Sequence, residues 1–222
     1  MMLSIYTKVP YILYRYSYLG GSTLRKTYFM IIGLVTFILS GCINLDAQVD
    51  KIEVAELTER ENAIISNFAD EHLAFDYSVD EKYEEITVWI EKYEFGQLVD
   101  DKVGELSSSI HETGSIIFSS VEDHNERDQK TFALQILQEN GTTSMTNIID
   151  SSFEYKDMMK VWGGLPESTV LDHEEMVIGT IGYSKGEFGI SSFTNTFYED
   201  FEAHQDQLKD YDVAYLLKIS FK

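Results

Sequence analysis

Cysteine is almost absent from this chain, with one residue, Cys42, among 222. That excludes an intrachain disulfide, so whatever folds must stand on its core alone. Positive charge is scarce as well: 17 Lys and Arg face 38 Asp and Glu, for a net charge of −21. Such a balance excludes nucleic acid as a ligand, since phosphate binding needs a basic footprint. It also holds the folded part off anionic lipid headgroups, so contact with a membrane has to come from an anchor. Positively charged partners and divalent cations stay open. Gly-rich nucleotide loops, internal repeats and low-complexity stretches are missing too, and no cofactor is called for.

One segment lacks acids altogether. Residues 1–41 contain Lys8, Arg15, Arg25 and Lys26, so all 38 acids lie in the remainder with 13 Lys and Arg, a balance of −25. A step this sharp separates two segments with different fates. With 44% apolar and 13% aromatic residues, the chain reads as globular. A domain of about 150–180 residues buries roughly two thirds of its unfolded surface.

The basic part reads as an export signal. Leu24-Arg25-Lys26 precedes an apolar run from Tyr28 to Leu39. That run is shorter than the roughly 20 residues a membrane span requires, but it suits a signal-peptide core. It ends in Leu39-Ser40-Gly41-Cys42, which resembles the lipobox of bacterial lipoprotein precursors. The resemblance implies diacylglycerol on Cys42, cleavage just before it, and a protein held by lipid on the extracytoplasmic face of the cell membrane. Residues 1–23 precede what is already a complete signal, so translation is expected to begin at or near Leu24, with a long leader as the alternative. The stretches TERENAIISNFADEHLAFDYSVD and VWIEKYEFGQLVDDK are similar to small lipoproteins of Bacillus and its relatives. The expected organisation is a signal peptide over 1–41, a lipidated tether over 42–55 and an acidic β-rich domain over 56–222.

Within that domain Leu57, Ile64, Ile65 and Phe68 fall on one face of a helix. Period-two alternation comes next. It covers Leu73 to Val79, Ile86 to Ile90, Phe132 to Ile136, and Val213 to Phe221, with further β-rich runs at 115–121, 143–149, 158–162 and 176–183. Glu94-Phe95-Gly96 and Asn140-Gly141 read as hairpin turns. Phe197, Phe201, His204 and Leu208 mark a helix from about Thr196 to Lys209. The expected fold is mostly β: an antiparallel β-sandwich, immunoglobulin-like in outline, with one or two short helices.

Four patterns suggest chemistry. Gly182-Tyr183-Ser184-Lys185-Gly186 matches the nucleophile elbow of α/β-hydrolases, which needs a strand-to-helix turn and a later histidine. His204 is the sole histidine after it, and no helix is expected directly after Ser184. His173-Glu174-Glu175 begins like a zinc-protease motif but has Val177 where the second histidine belongs. Glu122, Asp123, Glu126 and Asp128 form one acidic loop, and Asp206, Asp210 and Asp212 another. Calcium would need six to eight oxygens from such a loop, and neither has EF-hand spacing. The expectation is a non-enzymatic binding domain for a protein, a cell-wall component or a small ligand. An exported serine hydrolase using Ser184, or a calcium-stabilised surface module, are the alternatives.

Overall fold

Where apolar residues alternate, strands form, and tight turns between them set the register. The computed structural model describes residues 50–123, 129–138, 141, 143–151, 157–166, 168–171, 173–186 and 189–222. Among these, one sheet has six strands: β1 (Lys51–Val54), β2 (Glu71–Ser78), β5 (Thr113–Asp123), β6 (Gln129–Gln138), β7 (Thr143–Asp150) and β9 (Thr169–Val170), in the order β7-β6-β5-β2-β1-β9. The other has five: β3 (Glu85–Glu94), β4 (Gln97–Ser109), β8 (Met159–Gly164), β10 (Glu175–Ser184) and β11 (Val213–Phe221), in the order β4-β3-β11-β10-β8. Neighbouring strands pair antiparallel throughout. The two sheets make the β-sandwich expected from the sequence.

The immunoglobulin-like outline holds for the first five strands alone. β1, β2 and β5 share one sheet while β3 and β4 lie in the other, as strands A, B, E and C, C′ do. Beyond β5 the plan departs, because the strand beside β3 is β11, the last in the chain, and β6 and β7 extend the first sheet.

The turn between β3 and β4 shows local chemistry setting register. Phe95 and Gly96 take φ of 51° and 77°, the paired positive values of a two-residue type I′ turn, which matches the twist of the flanking strands. Gly141, φ 84°, takes the same hand between β6 and β7; Asn140 lies outside the described residues.

Between the sheets sit Phe75, Ile86, Val88, Ile90, Ile116, Leu134 and Ile136, each at most 1% exposed. Phe132 packs on Tyr215 at 4.9 Å, and Tyr183 meets Tyr215 edge-on at 6.4 Å. Trp89 is buried, whereas Trp162, on the edge strand β8, is 42% exposed.

Three expectations are corrected. Lys51–Val54, assigned to the tether, is a strand paired with both β2 and β9, so the domain begins earlier than 56. The first helix, α1 (Glu59–Ile65), is shorter than its apolar pattern and buries none of its residues. A capping box defines it: Thr58 Oγ accepts the Glu61 N–H while the Glu61 carboxylate accepts the Thr58 N–H. Half of its apolar pattern stays on the surface, with Ile64 51% and Phe68 79% exposed, while Leu57 and Ile65 are half-buried. The helix expected over 196–209 is broken into α2 (Asn195–Glu199), α3 (Phe201–His204) and a 3₁₀ turn (Gln205–Asp210). Asp200 interrupts it by leaving helical backbone angles and capping the next turn through the Ala203 N–H.

These short helical turns cover the outer face of the five-stranded sheet. Tyr198 hydrogen-bonds Thr180 across this junction at 2.7 Å, and Tyr93 meets Phe201 edge-on. Gly182 is required there, since a Cβ would stand 2.5 Å from the Tyr211 ring. β11 is therefore covered on both faces: Ala214 and Leu216 are as buried as Val213 and Tyr215.

Candidate functional site

Two clusters of lysine and carboxylate lie on opposite faces of the five-stranded sheet. The first lies between the sheets, with Lys160 at its outer end 28% exposed. Strand register places Glu71 beside Ser120, and Glu122, Lys130 and Asp150 in one row across β5, β6 and β7. From the facing sheet come Lys92, paired with Tyr215, and Lys160, paired with Tyr183. Lys130 Nζ, fully buried, contacts Glu71 at 3.0 Å, Glu122 at 3.3 Å and the Tyr183 hydroxyl at 2.6 Å. Lys160 bridges Glu71 and Glu122 from the other side. Lys92 contacts Asp150 at 3.0 Å, and Asp150 also accepts the Tyr215 hydroxyl at 2.7 Å.

Burial alone would raise the Glu122 carboxyl, but the Tyr183 hydroxyl and the two ammonium groups outweigh it and hold Glu122 below the usual carboxylate range. Burial would likewise lower Lys160, but Glu71 and Glu122 hold it above its ordinary value. Charges removed from water persist when paired and hydrogen-bonded. The cluster is filled by its own members, so its chemistry is internal.

The second cluster is open. Over the outer face, β3, β10 and β11 and the helical turns enclose a cleft of about 700 Å³. At its base Lys218 Nζ contacts Glu91 at 3.0 Å and Glu175 at 3.2 Å. It stands 5.4 Å from the rings of both Trp89 and Phe201. Glu91 accepts the Tyr93 hydroxyl at 2.8 Å and the Trp89 indole N–H at 3.3 Å. Burial, with the Glu91 carboxylate beside it, pushes the Tyr93 hydroxyl well up; burial also raises Tyr198. Around the rim stand Glu174, Glu199, Asp200 and Glu202, all exposed, and Lys218 is the only lysine or arginine among the described lining residues. The cleft thus offers a floor of aromatic rings and a surplus of negative charge at its mouth.

Of the residues singled out from the sequence, Glu122 joins the inner cluster and His173, Glu174 and Glu175 line the cleft, while the others fall elsewhere. Ser184 closes β10, and its Oγ accepts the Gly186 N–H at 3.1 Å. The next described helix begins only at Asn195, so Ser184 is not on a strand-to-helix turn. His204 bonds the Asp200 carbonyl through Nδ1, and no hydrogen bond joins it to Ser184 among the described residues. The glycines of that motif serve packing, Gly182 beneath Tyr211 and Gly186 against Ser184.

Asp123 ends β5, while Glu126 and Asp128 lie outside the described residues. In the other acidic loop, Asp206 pairs with Lys209, which lowers its carboxyl, and Asp212 accepts the Lys185 N–H. No group of three or more His, Cys, Asp or Glu positioned for a metal occurs among the described residues. His173, Glu174 and Glu175, read as a failed zinc motif, line the cleft together. Cys42 lies outside the described residues, and none of their helices is long and apolar enough to cross a membrane.

Pattern reading missed Glu91, Lys92, Lys130 and Lys218. A signal was present: Glu91-Lys92 and Lys218 interrupt otherwise apolar strands, and a charge in a strand covered on both faces must find a buried partner.

Residues 51–221 match the model of the YgaN domain family, and the chain belongs to that family. No curated protein and no solved structure matches it.

Proposed function

We propose that this member of the YgaN domain family is a lipid-anchored extracytoplasmic lipoprotein of Bacillus type, whose β-sandwich is a non-enzymatic binding module with the cleft over the five-stranded sheet as its ligand seat. The observation that carries the reading is the order of the chain. Basic residues, an apolar run and Leu39-Ser40-Gly41-Cys42 stand immediately ahead of the domain that opens at Lys51. Two acyl chains on Cys42, at about 0.8 kcal/mol per buried CH₂, suffice for stable anchoring. The eight residues from 43 to 50 reach at most about 29 Å when extended, so the sandwich works close to the membrane surface.

The cleft supports a partner of matching chemistry. Exposed carboxylates at its mouth favour a cationic or amine-bearing group, and the tyrosines and Phe201 beneath favour an apolar or aromatic portion of the same partner. A peptide amine or an amine-bearing cell-wall component has both.

In the native host, Cys42→Ser is expected to abolish fatty-acid labelling and move the protein from the membrane to the soluble fraction; retention in the membrane fraction refutes the anchor. The cleft is tested separately by calorimetric titration of the domain with a lysine- and tyrosine-containing peptide. Binding is expected to weaken with salt and with paired Glu174→Gln and Glu202→Gln. Heat signals that these changes leave untouched place the peptide elsewhere.

A further inference from the structure

We infer that β7 is a homodimerisation edge, and that a second copy of this chain pairs with it antiparallel across a two-fold axis at Asn147. The inference rests on how the four sheet edges are treated. An edge strand exposes unpaired backbone donors and acceptors, and proteins blunt such edges with charge, shortness, bulges or inward-pointing lysines. β9 is two residues long. β4 carries Asp100, Asp101, Lys102 and Glu105, with register shifts where it pairs with β3. β8 turns Lys160 inward onto Glu71 and Glu122 and ends in two glycines.

β7 has the fewest of these devices: its one charge, Asp150, points inward onto Lys92 at its last residue. It runs for eight residues with no Pro, no Gly and no charge before Asp150. The structure records no backbone hydrogen bond on its outer side among the described residues. Its exposed face carries Met145, 63% exposed, Asn147, and Ile149, 64% exposed. The neighbouring strand continues that neutrality, since Thr131, Ala133 and Gln135 pair with Ile149, Asn147 and Met145.

Charge identifies the occupant. Each copy carries a net charge of −21, so two copies repel wherever their acidic surfaces meet and can approach most closely along a neutral strip. A cationic partner would instead be drawn to the acidic faces. The strand is also complementary to itself. With the axis at Asn147, Met145 of one copy lies opposite Ile149 of the other, so both exposed apolar side chains are covered twice over, as an isologous contact requires. The two six-stranded sheets then join into one.

The test uses residues 43–222, which contain every core side chain and no cysteine. Antiparallel partners stand about 4.5–5.5 Å apart at Cα, within disulfide range. Asn147→Cys is expected to oxidise to a covalent dimer, whereas Leu98→Cys on the charged β4 edge stays monomeric. Sedimentation of the unmodified domain is expected to show a concentration-dependent dimer that Met145→Lys or Ile149→Lys abolishes, with circular dichroism unchanged. A domain that sediments as a monomer up to the highest concentration, a dimer that survives both lysines, or equal cross-linking at 147 and 98 would each overturn the inference.

Discussion

The two faces of the five-stranded sheet solve the same problem differently. On the inner face Lys130, Lys92 and Lys160 meet Glu71, Glu122 and Asp150 with tyrosine hydroxyls between them, and the facing sheet closes over the group. On the outer face Lys218 meets Glu91 and Glu175, again beside a tyrosine and a tryptophan, but only short helical turns stand above it and a cleft remains. The ingredients are nearly the same. What differs is the cover: the facing sheet leaves the cluster open only at its Lys160 end, whereas helical turns of four to six residues leave a cleft of about 700 Å³. Charged clusters therefore take their roles from what packs over them.

Removing one lysine from each cluster puts that difference to its hardest test. Lys130→Met leaves Glu71 and Glu122 short of a buried partner and is expected to cost about 3–5 kcal/mol, read by denaturant unfolding. Lys218→Met, at the base of an open cleft where water can enter, is expected to cost about 1–3 kcal/mol. Equal losses would mean that the outer cluster is as sealed as the inner one.

Acid should act mainly through the inner cluster. Glu122 lies below its ordinary value of 4.5, so its contribution is complete above that value and lost as pH falls through its lower folded value. Lys160 lies above its ordinary 10.5, so its contribution is complete below that value and lost only as pH rises through its higher folded value. Melting temperature tracked from pH 8 downward is expected to stay level and then fall below about pH 4.5. In Lys130→Met, which removes one of the charges holding Glu122 down, the fall should be shallower, because the folded and unfolded values of Glu122 draw together. An acid limb indifferent to that substitution would detach Glu122 from the cluster.

The smallest effect concerns burial without pairing. The Tyr77 hydroxyl is buried with no partner among the described residues, and burial pushes it up to about 12. Tyr77→Phe is expected to leave stability unchanged or raise it by about 1 kcal/mol, roughly 2–4 °C in Tm. A loss of similar size in differential scanning calorimetry would show that pairing is not what separates this hydroxyl from those of Tyr183 and Tyr215.

Much of the fold was legible residue by residue. Alternation at Ile86, Val88 and Ile90, and at Phe132, Leu134 and Ile136, marked inward faces correctly because one sheet face must be buried and the side-chain period is two. Phe95-Gly96 announced its turn because so few residues accept positive φ. The site was far less legible. Ser184 and His204 attracted notice by motif, yet the serine serves a strand end and the histidine a helical turn. Glu91 and Lys218 are 127 residues apart, and nothing local in either strand names the other. The α1 helix misled for a related reason: apolar periodicity states which face is sticky, not whether anything packs on it.

By itself, the sequence determined the order of basic residues, apolar run and lone cysteine at its start, the acidic character of the domain behind them, and a strand plan with most of its core. Those properties rest on composition, short-range spacing and backbone preferences, which act within a few residues. Only the tertiary structure decided that β11 pairs with β3, that charges from distant strands meet in pairs, that one cluster lies between the sheets and the other opens to a cleft, and that β7 ends its sheet among the described residues. Such outcomes depend on which surfaces come together across the whole chain, and a charged side chain buried in one strand is specified by its partner in another.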